Sequence, residues 1–229
     1  LITDLRSVRG FSARSADKLD ALVKELGNDR ALAAPLDITD VESIRTADAR
    51  IEKTWGGYDL VVFMAGDYTA MRAWEIDLKI AKQMVSINWE GFLNGLSIVI
   101  PRFMAAKAGG IALVSSVAGY RGLPKSLVYG PTKAALINLA ETLYVDLKDK
   151  GLDVYVINPG FVKTPMTAQN DFEMPFLIEP DEAAREIAKG FEAGEFEIHF
   201  PKAFTRMLKT MRHLSYPLYF KAVKRFTKL

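Results

Sequence analysis

The sequence contains no cysteine and only two histidines, His199 and His213, and both shortages exclude whole classes of site. A chain without cysteine forms no disulfides and has neither a thiolate nucleophile nor a cysteine-ligated zinc ion. With two histidines, a histidine-rich metal site is also excluded, and we predict no metal site. The lack of cysteine fits a reducing compartment, so we expect a cytoplasmic protein.

Long apolar runs are missing as well. No uninterrupted apolar stretch reaches the roughly 18–20 residues that a membrane-spanning helix needs, and no stretch has the layout of a secretory leader. We therefore expect neither a transmembrane protein nor a secreted one. Hydrophobic residues make up 49% and charged residues 25% of the 229 positions, which is typical of an ordinary globular protein and excludes a disordered chain.

Charge is distributed unevenly along the chain. Residues 202–229 contain eight Lys or Arg and no Asp or Glu, so the remaining 201 residues carry a net charge of −6. Such a division suggests that the last segment has a role of its own. We predict a main domain over residues 1–201 and a basic C-terminal extension over residues 202–229.

Short apolar runs alternate with segments of helical periodicity throughout the main domain. This alternation predicts βαβ units, and so an α/β fold: a doubly wound (Rossmann) mostly parallel sheet with helices on both faces. After a short apolar run at 8–13, the predicted strands are residues 31–36, 59–64, 110–115, 152–157 and 196–200. The predicted helices are residues 15–26, 41–55, 76–106, 129–148 and 180–192.

The start of the chain does not fit this pattern. Leu1-Ile2-Thr3 resembles the end of a first strand, yet only four residues separate it from the run that begins at Val8. A parallel crossover needs about 10–12 residues or more. Either the first three residues are not a strand, or a connection is missing between Thr3 and Val8. We favour a segment that the given sequence skips, because a true deletion there would unfold the domain.

One pair of side chains points to proton transfer. Tyr129 and Lys133 lie four residues apart on a predicted helix and so project from the same face. A nearby ammonium group favours the tyrosinate form, and we expect it to lower the pKa of Tyr129 from about 10. A tyrosine with such a pKa exchanges a proton with a carbonyl or alcohol oxygen near neutral pH. Alone, this spacing is more often a solvated helix face.

Other polar residues follow the predicted strands at the edge where doubly wound sheets bind ligands. Ser116 lies thirteen residues before Tyr129, at the end of one strand, and its neighbour Ser115 is the nearest rival for the same role. Asn88 lies within the long helix between two strands. Further candidates at strand ends are Asp37, Ala65-Gly66 and Asn158-Pro159-Gly160-Phe-Val-Lys-Thr164. Singly, each of these can be only a helix cap or a turn.

Taken together, these residues resemble the short-chain dehydrogenase/reductase family over nearly the whole chain to about Pro201. The resemblance implies a catalytic tetrad of Asn88, Ser116, Tyr129 and Lys133. Tyr129 would be the acid/base, Lys133 would lower its pKa and hold the nicotinamide ribose, and Ser116 would bind the substrate oxygen. Asn88 would support a water-linked proton relay through its backbone.

The resemblance also implies a dinucleotide cofactor. Asp37 and Ile38 would contact adenine, and Ala65 and Gly66 would let the backbone approach the adenine-side ribose. The nicotinamide side would be bound by Tyr129, Lys133, Pro159, Gly160, Val162 and Thr164.

Cofactor choice depends on the residues after the second predicted strand. An acid there binds the 2′-hydroxyl of NAD, whereas an arginine accommodates a 2′-phosphate. Arg14 and Ser15 stand there and no acid precedes Asp17, so we predict NADP(H) rather than NAD(H). Arg14 can equally be a surface charge, and Arg9 competes for the role.

The chain departs from the family at two places. The glycine-rich turn that should follow Thr3 and bind the pyrophosphate is missing from the sequence, which agrees with a lost piece on the order of 20 residues. Met64 stands where the family usually has Asn, for which we expect no loss of chemistry.

Apolar residues over 166–180 suggest a hydrophobic carbonyl or alcohol substrate, or a lid that packs on its own domain.

From 202 to 213 a helix would place Phe204, Met207, Leu208 and Met211 on one face and Lys202, Arg206, Lys209 and His213 on the other. Such a segment can lie on an anionic membrane or dock on the domain or on a second subunit. No nucleic-acid-binding motif accompanies the charge.

We therefore predict an NADP(H)-dependent oxidoreductase that interconverts a carbonyl and a secondary alcohol on a small molecule. By resemblance we expect a homo-oligomer that does not bind nucleic acid. The missing turn favours one alternative, a catalytically inactive nucleotide sensor or scaffold on the same fold.

Overall fold

The computed structural model describes residues 9–227, in which strands and helices alternate as the sequence pattern predicts. The strands are β1 (Arg9–Phe11), β2 (Ala31–Ala33), β3 (Leu60–Phe63), β4 (Gly109–Val114), β5 (Leu152–Pro159) and β6 (Glu197–Phe200). The helices are α1 (Ala16–Leu26), α2 (Val41–Trp55), α3 (Leu78–Val85), α4 (Gly91–Ala106), α5 (Tyr129–Leu147), α6 (Pro180–Glu192), α7 (Lys202–Arg212) and α8 (Tyr216–Phe226).

All paired strands are parallel, in agreement with a Rossmann-like α/β fold. They form a two-stranded sheet, β1-β2, and a four-stranded sheet in the order β3-β4-β5-β6. Within residues 9–227 no strand pairs with both sheets. The strand predicted at residues 1–3, and the break predicted between Thr3 and Val8, lie outside the described residues.

Helices cover both faces of the larger sheet because its strands are apolar on both sides. Successive side chains of β4 point to opposite faces, so Ile111 and Leu113 pack against α4 and α5, whereas Ala112 packs against α6. These three side chains are fully buried. Two apolar layers therefore enclose the sheet and fix the ends of its strands.

The segment 76–106, predicted as one long helix, is divided. Asp77 starts α3 by accepting hydrogen bonds from the backbone N–H groups of Lys79 and Ile80. A π-helical turn at Ser86–Glu90 then joins α3 to α4, and Pro101 lies inside α4. Apolar periodicity continues through both helices, so it gave no sign of the π turn.

The basic segment after β6 packs back on the domain as α7 and α8. Phe204 and Met211 of α7 are buried, while Met207 and Leu208 are partly buried against the same core. Lys209, predicted on the face opposite these apolar residues, forms an ion pair with Glu197 at the start of β6. None of the helices within 9–227 is long and apolar enough to cross a bilayer.

Candidate active site

The predicted tetrad converges where β3, β4 and β5 end. Ser116 follows β4, Tyr129 and Lys133 lie on the first turns of α5, and Asn88 lies in the π-helical turn before α4. This is the carboxyl edge of a parallel sheet, where ligands bind in open α/β folds. Among the described residues, no cluster of His, Cys, Asp or Glu is arranged to hold a metal ion.

Lys133 is held beneath Tyr129. Its Nζ donates to the Val114 carbonyl at 3.0 Å and lies 5.6 Å from the centre of the Tyr129 ring. The side chain is only 3% exposed, and burial lowers the pKa of Lys133 to about 8. A charged group that the fold buries at such a cost is a candidate for function.

The pKa of Tyr129 is shifted in the direction opposite to our prediction. Burial is the main cause and raises it to about 12, the neighbouring Tyr68 adds to the rise, and the Ser116 side chain opposes it. Lys133 is not among the groups that shift it. Below the ring, Lys133 is directed to the Val114 carbonyl, so the proximity that the helical spacing predicted is present without the expected electrostatic effect.

The structure distinguishes Ser116 from its rival Ser115. The Ser115 hydroxyl is buried and donates to the Lys133 carbonyl at 2.7 Å, which fixes β4 against α5. Ser116 is partly exposed, and its Oγ accepts a 3.1 Å hydrogen bond from the Ala118 N–H. The Ser116 side chain also lies close enough to Tyr129 to lower its pKa, which makes Ser116 the better candidate.

Gly119 brings the turn after Ser116 close to α5. A Cβ atom at Gly119 would stand 2.7 Å from the Lys133 carbonyl carbon and 2.8 Å from the Ala134 nitrogen. Backbone cannot move aside as a flexible side chain does, so only glycine permits this approach. The contact sets the distance between Ser116 and the α5 pair.

Asn88 is fully buried and ties three segments together. Its Oδ1 accepts from the Asp67 N–H at 2.7 Å, and its Nδ2 donates to the Asp67 carbonyl at 2.9 Å and to Thr132 Oγ1 at 3.2 Å. Thr132 in turn donates to the Tyr129 carbonyl at 2.8 Å. The side chain of Asn88 thus anchors the segment after β3 to α5. The π turn that carries it is a feature often found at functional sites.

Gly66 leaves room at the centre of the site. A Cβ atom there would stand 3.7 Å from Lys133 Nζ and 3.8 Å from both Asn88 Oδ1 and Met166 Cε. A side chain at this position would fill the space above the lysine. Gly66 therefore preserves a cradle of the kind that a cofactor ring or ribose requires, and Met166 is the lid residue that reaches it.

The residues predicted for the adenine side meet at the ends of β1 and β2. Asp37 accepts from the N–H and hydroxyl of Thr39, and these bonds, with a smaller effect of Arg14, lower the pKa of Asp37. Ser15 is the N-cap of α1 but makes no side-chain capping bond. A guanidinium, an uncommitted hydroxyl and a helix N-terminus therefore share one edge, a donor set that suits a phosphate.

The remaining predicted contacts lie in turns that the fold already uses. Ile38 packs on Gly91 of α4, and Ala65 borders the core. At the end of β5, Gly160 approaches Phe204 of α7, and its N–H donates to the Phe200 carbonyl. Two further members of the set make local contacts: Val162 pairs with Ile178, and Thr164 exchanges hydrogen bonds with Thr167.

Several neighbours of the site carried no sequence signal. The Tyr68 ring packs edge-on to Tyr129 at 5.0 Å between centres. Arg121, in the loop that joins Ser116 to Tyr129, donates to the carbonyls of Met211, Arg212 and Leu214 at the end of α7. Such contacts depend on how distant helices pack, which spacing along the chain does not show.

Comparison with known proteins places this chain in a family. The family model described as short chain dehydrogenase matches residues 7–174. An uncharacterized oxidoreductase of Myxococcus xanthus is 36% identical over 228 residues, covering 96% of this chain and 88% of the relative. An uncharacterized oxidoreductase of Staphylococcus haemolyticus is 28% identical over 177 residues, 77% of each chain.

Solved structures agree on the fold. A short-chain dehydrogenase from Streptomyces avermitilis superposes with a TM-score of 0.80 at 22% identity, covering 96% of this chain and 88% of that one. Serine dehydrogenase from Escherichia coli gives a TM-score of 0.64 at 26% identity, covering 68% of this chain and 72% of that one. A closed form of serine dehydrogenase complexed with NADP+ gives a TM-score of 0.74 at 22% identity, covering 84% of this chain and 82% of that one.

Proposed function

Since the chain belongs to the short-chain dehydrogenase family of oxidoreductases, we propose that it interconverts a carbonyl and a secondary alcohol with NADP(H), using Tyr129 as the acid/base. The observation that carries the proposal is the Tyr129–Lys133 pair, with its lysine buried and with Ser116 and Asn88 around it at the sheet edge. A chain used only as a scaffold has no need to bury a lysine there.

The residues present suit a nicotinamide cofactor. Gly66 keeps space open above Lys133, and Arg14 with Ser15 supplies donors for a 2′-phosphate at the far end. In this proposal Lys133 holds the nicotinamide ribose, and Asp37 and Ile38 border the adenine. When bound, the nicotinamide ring supplies or accepts the hydride.

The protein's own part is proton transfer and charge stabilisation. A hydroxyl with a pKa of about 12 is protonated at neutral pH, so Tyr129 holds the proton that it would donate to a carbonyl oxygen. The Ser116 hydroxyl donates a hydrogen bond to the same oxygen as it gains negative charge. Carbonyl carbon gains the hydride and carbonyl oxygen gains the proton, so reduction to the alcohol balances.

The lid suggests an apolar substrate. Met166 reaches the cradle, and Phe172, Phe176 and Leu177 of the same segment are 40–53% exposed. An ion pair between Lys125 and Asp171 joins the lid to the loop before Tyr129. We propose a hydrophobic ketone or alcohol as the substrate class. We also propose that the enzyme is oligomeric and works in the cytoplasm, with its basic C-terminal helices in contact with a membrane.

The cofactor proposal is tested by titrating the protein with NADPH and NADH and following nicotinamide fluorescence. We expect NADPH to bind more tightly than NADH. Arg14→Ala is expected to weaken the binding of NADPH about tenfold or more and to leave the binding of NADH unchanged, because a charge-assisted bond contributes about 1.5–3 kcal/mol. Lys18→Ala, which removes a nearby exposed charge of α1, serves as the matched control. An equal loss of affinity for both nucleotides in Arg14→Ala would contradict the assignment of Arg14 to the 2′-phosphate.

The second candidate, an inactive nucleotide sensor or scaffold, is favoured by one observation. Only four residues separate Thr3 from Val8, which is too short for the turn that holds a pyrophosphate in this family. An intact mass above 25.5 kDa, with NADPH binding, would support the oxidoreductase. A mass of 25.5 kDa with neither nucleotide bound would favour the scaffold.

A further inference from the structure

The C-terminal helix α8 has two unlike sides. Its inner side is fixed to the domain: Tyr219 and Val223 are buried, and the Tyr219 hydroxyl donates to the Gly122 carbonyl at 2.7 Å. The Arg121 guanidinium lies over the Tyr219 ring at 4.0 Å and over the Tyr216 ring at 5.1 Å. Because these contacts hold the inner side, the domain leaves the opposite side of the helix uncovered.

That opposite side combines cations with large apolar groups. At 100° per residue, Lys221, Lys224 and Arg225 point away from the buried pair, and all three are exposed. Apolar side chains flank them, with Leu218 58% and Phe220 55% exposed. We call these five residues the α8 surface.

We propose that the α8 surface docks on an anionic membrane. A helix with basic residues on its polar side and aromatic residues beside them lies in the plane of the lipid headgroups, with its apolar groups in the acyl boundary. Lysine and arginine stems are long enough to bury their methylene groups while the charged ends reach lipid phosphates. The proposal gives the membrane contact of the basic segment a defined set of residues.

Charge argues against the α8 surface of a second copy as the occupant. Residues 202–229 contain no acid, so two α8 surfaces facing each other across a twofold axis would oppose six cations with no compensating carboxylate. A negatively charged surface is required instead. Lipid phosphates supply one without demanding a particular spacing, which suits three cations that spread over about 100° of the helix circumference.

The surface adjoins a groove whose opposite wall leads along the chain to Tyr129. An apolar groove of about 370 Å³ is lined by Phe220, Val223 and Lys224 of α8 on one side and by Gly122–Leu127 on another. That second wall is the loop that ends two residues before Tyr129. If the proposed function holds, docking brings the groove to the bilayer, where hydrophobic carbonyl compounds concentrate. The docking itself does not depend on catalysis.

The test is cosedimentation of the full chain with vesicles of phosphatidylcholine, with and without phosphatidylglycerol. Each Lys or Arg near an anionic surface contributes about 1 kcal/mol. Reversing the three charges (Lys221→Glu, Lys224→Glu, Arg225→Glu) is therefore expected to weaken binding at least about 100-fold. The matched control reverses three exposed lysines elsewhere, Lys24, Lys53 and Lys150, with the same change in net charge.

The outcomes separate the alternatives. Binding only to the anionic vesicles, retained by the control and lost in the α8 variant, supports the proposal. No binding of the unmodified chain, or equal binding to both vesicle types, overturns it. Equal loss in both variants also overturns it, since net charge rather than this surface would then decide. Circular dichroism checks that both variants are folded, and NADPH titration reports independently on the proposed function.

Discussion

Replacing Lys133 by methionine is expected to make the protein more stable while it abolishes activity. The lysine is 3% exposed, and its pKa falls from 10.5 to about 8 because burial disfavours the ammonium form. A group whose charged form the folded state disfavours destabilises the protein wherever that charge is present. The cost is full below the folded pKa and disappears as the pH rises past the unfolded value.

The magnitude follows from the shift. The difference between the two pKa values costs about 3 kcal/mol at pH 7, and the cost falls to about 1 kcal/mol at pH 10, where the folded lysine is neutral and the unfolded lysine begins to lose its proton. Methionine is apolar and of similar length, so it avoids this cost. It also loses the 3.0 Å hydrogen bond to the Val114 carbonyl, which offsets about 1 kcal/mol. The net gain at pH 7 is about 2 kcal/mol.

The assay is urea unfolding of both proteins at pH 7 and at pH 10. The advantage of the methionine variant should shrink by about 2 kcal/mol between the two values, and this change does not depend on the size of the lost hydrogen bond. Lys150→Met, at an exposed lysine in the turn after α5, is the matched control and should show no such change. A Lys133→Met protein that is less stable at pH 7, or whose advantage is the same at both pH values, would refute the reasoning.

Three further substitutions test the supports of the site. Gly119→Ala is expected to lower the free energy of unfolding by about 1–3 kcal/mol and to lower kcat, because the new Cβ collides with the backbone of α5. Gly122→Ala, which has open space around it, should change neither the free energy of unfolding nor the kinetics. Arg121→Ala should lower the free energy of unfolding by about 2 kcal/mol in denaturant titration, since three carbonyls at the end of α7 lose their donor. Tyr68→Phe keeps the ring that packs on Tyr129 and should retain most of the activity in a kinetic assay.

Resemblance to a family identified the tetrad, and the sequence pattern predicts where Tyr129, Lys133 and Ser116 lie because their geometry is local or belongs to a strand end. Tyr129 and Lys133 share a helix face, so their spacing alone predicts that both reach the same space. Ser116 follows β4 directly, and parallel strands bring their carboxyl ends to one edge. Whether each of these residues has the role that the resemblance implies stays a prediction.

Other features depend on packing between distant segments and left no trace in the spacing. The pKa of Tyr129 rises because the fold buries it, and burial is a property of the whole structure. Arg121 contacts α7 and α8 across at least 90 residues of sequence, and an arginine in a loop has no periodicity to reveal its partner. The π turn at Ser86–Glu90 interrupts a helical pattern without changing it.

The central claim is that Tyr129 transfers the proton in an NADPH-linked reduction. The most direct test supplies NADPH and a panel of hydrophobic ketones to the unmodified protein, to Tyr129→Phe and to Tyr68→Phe, and follows the loss of nicotinamide absorbance. We predict turnover in the unmodified protein and in Tyr68→Phe, and at least a 100-fold loss in Tyr129→Phe with NADPH binding retained. A Tyr129→Phe variant that turns over as fast as the unmodified protein would contradict the account.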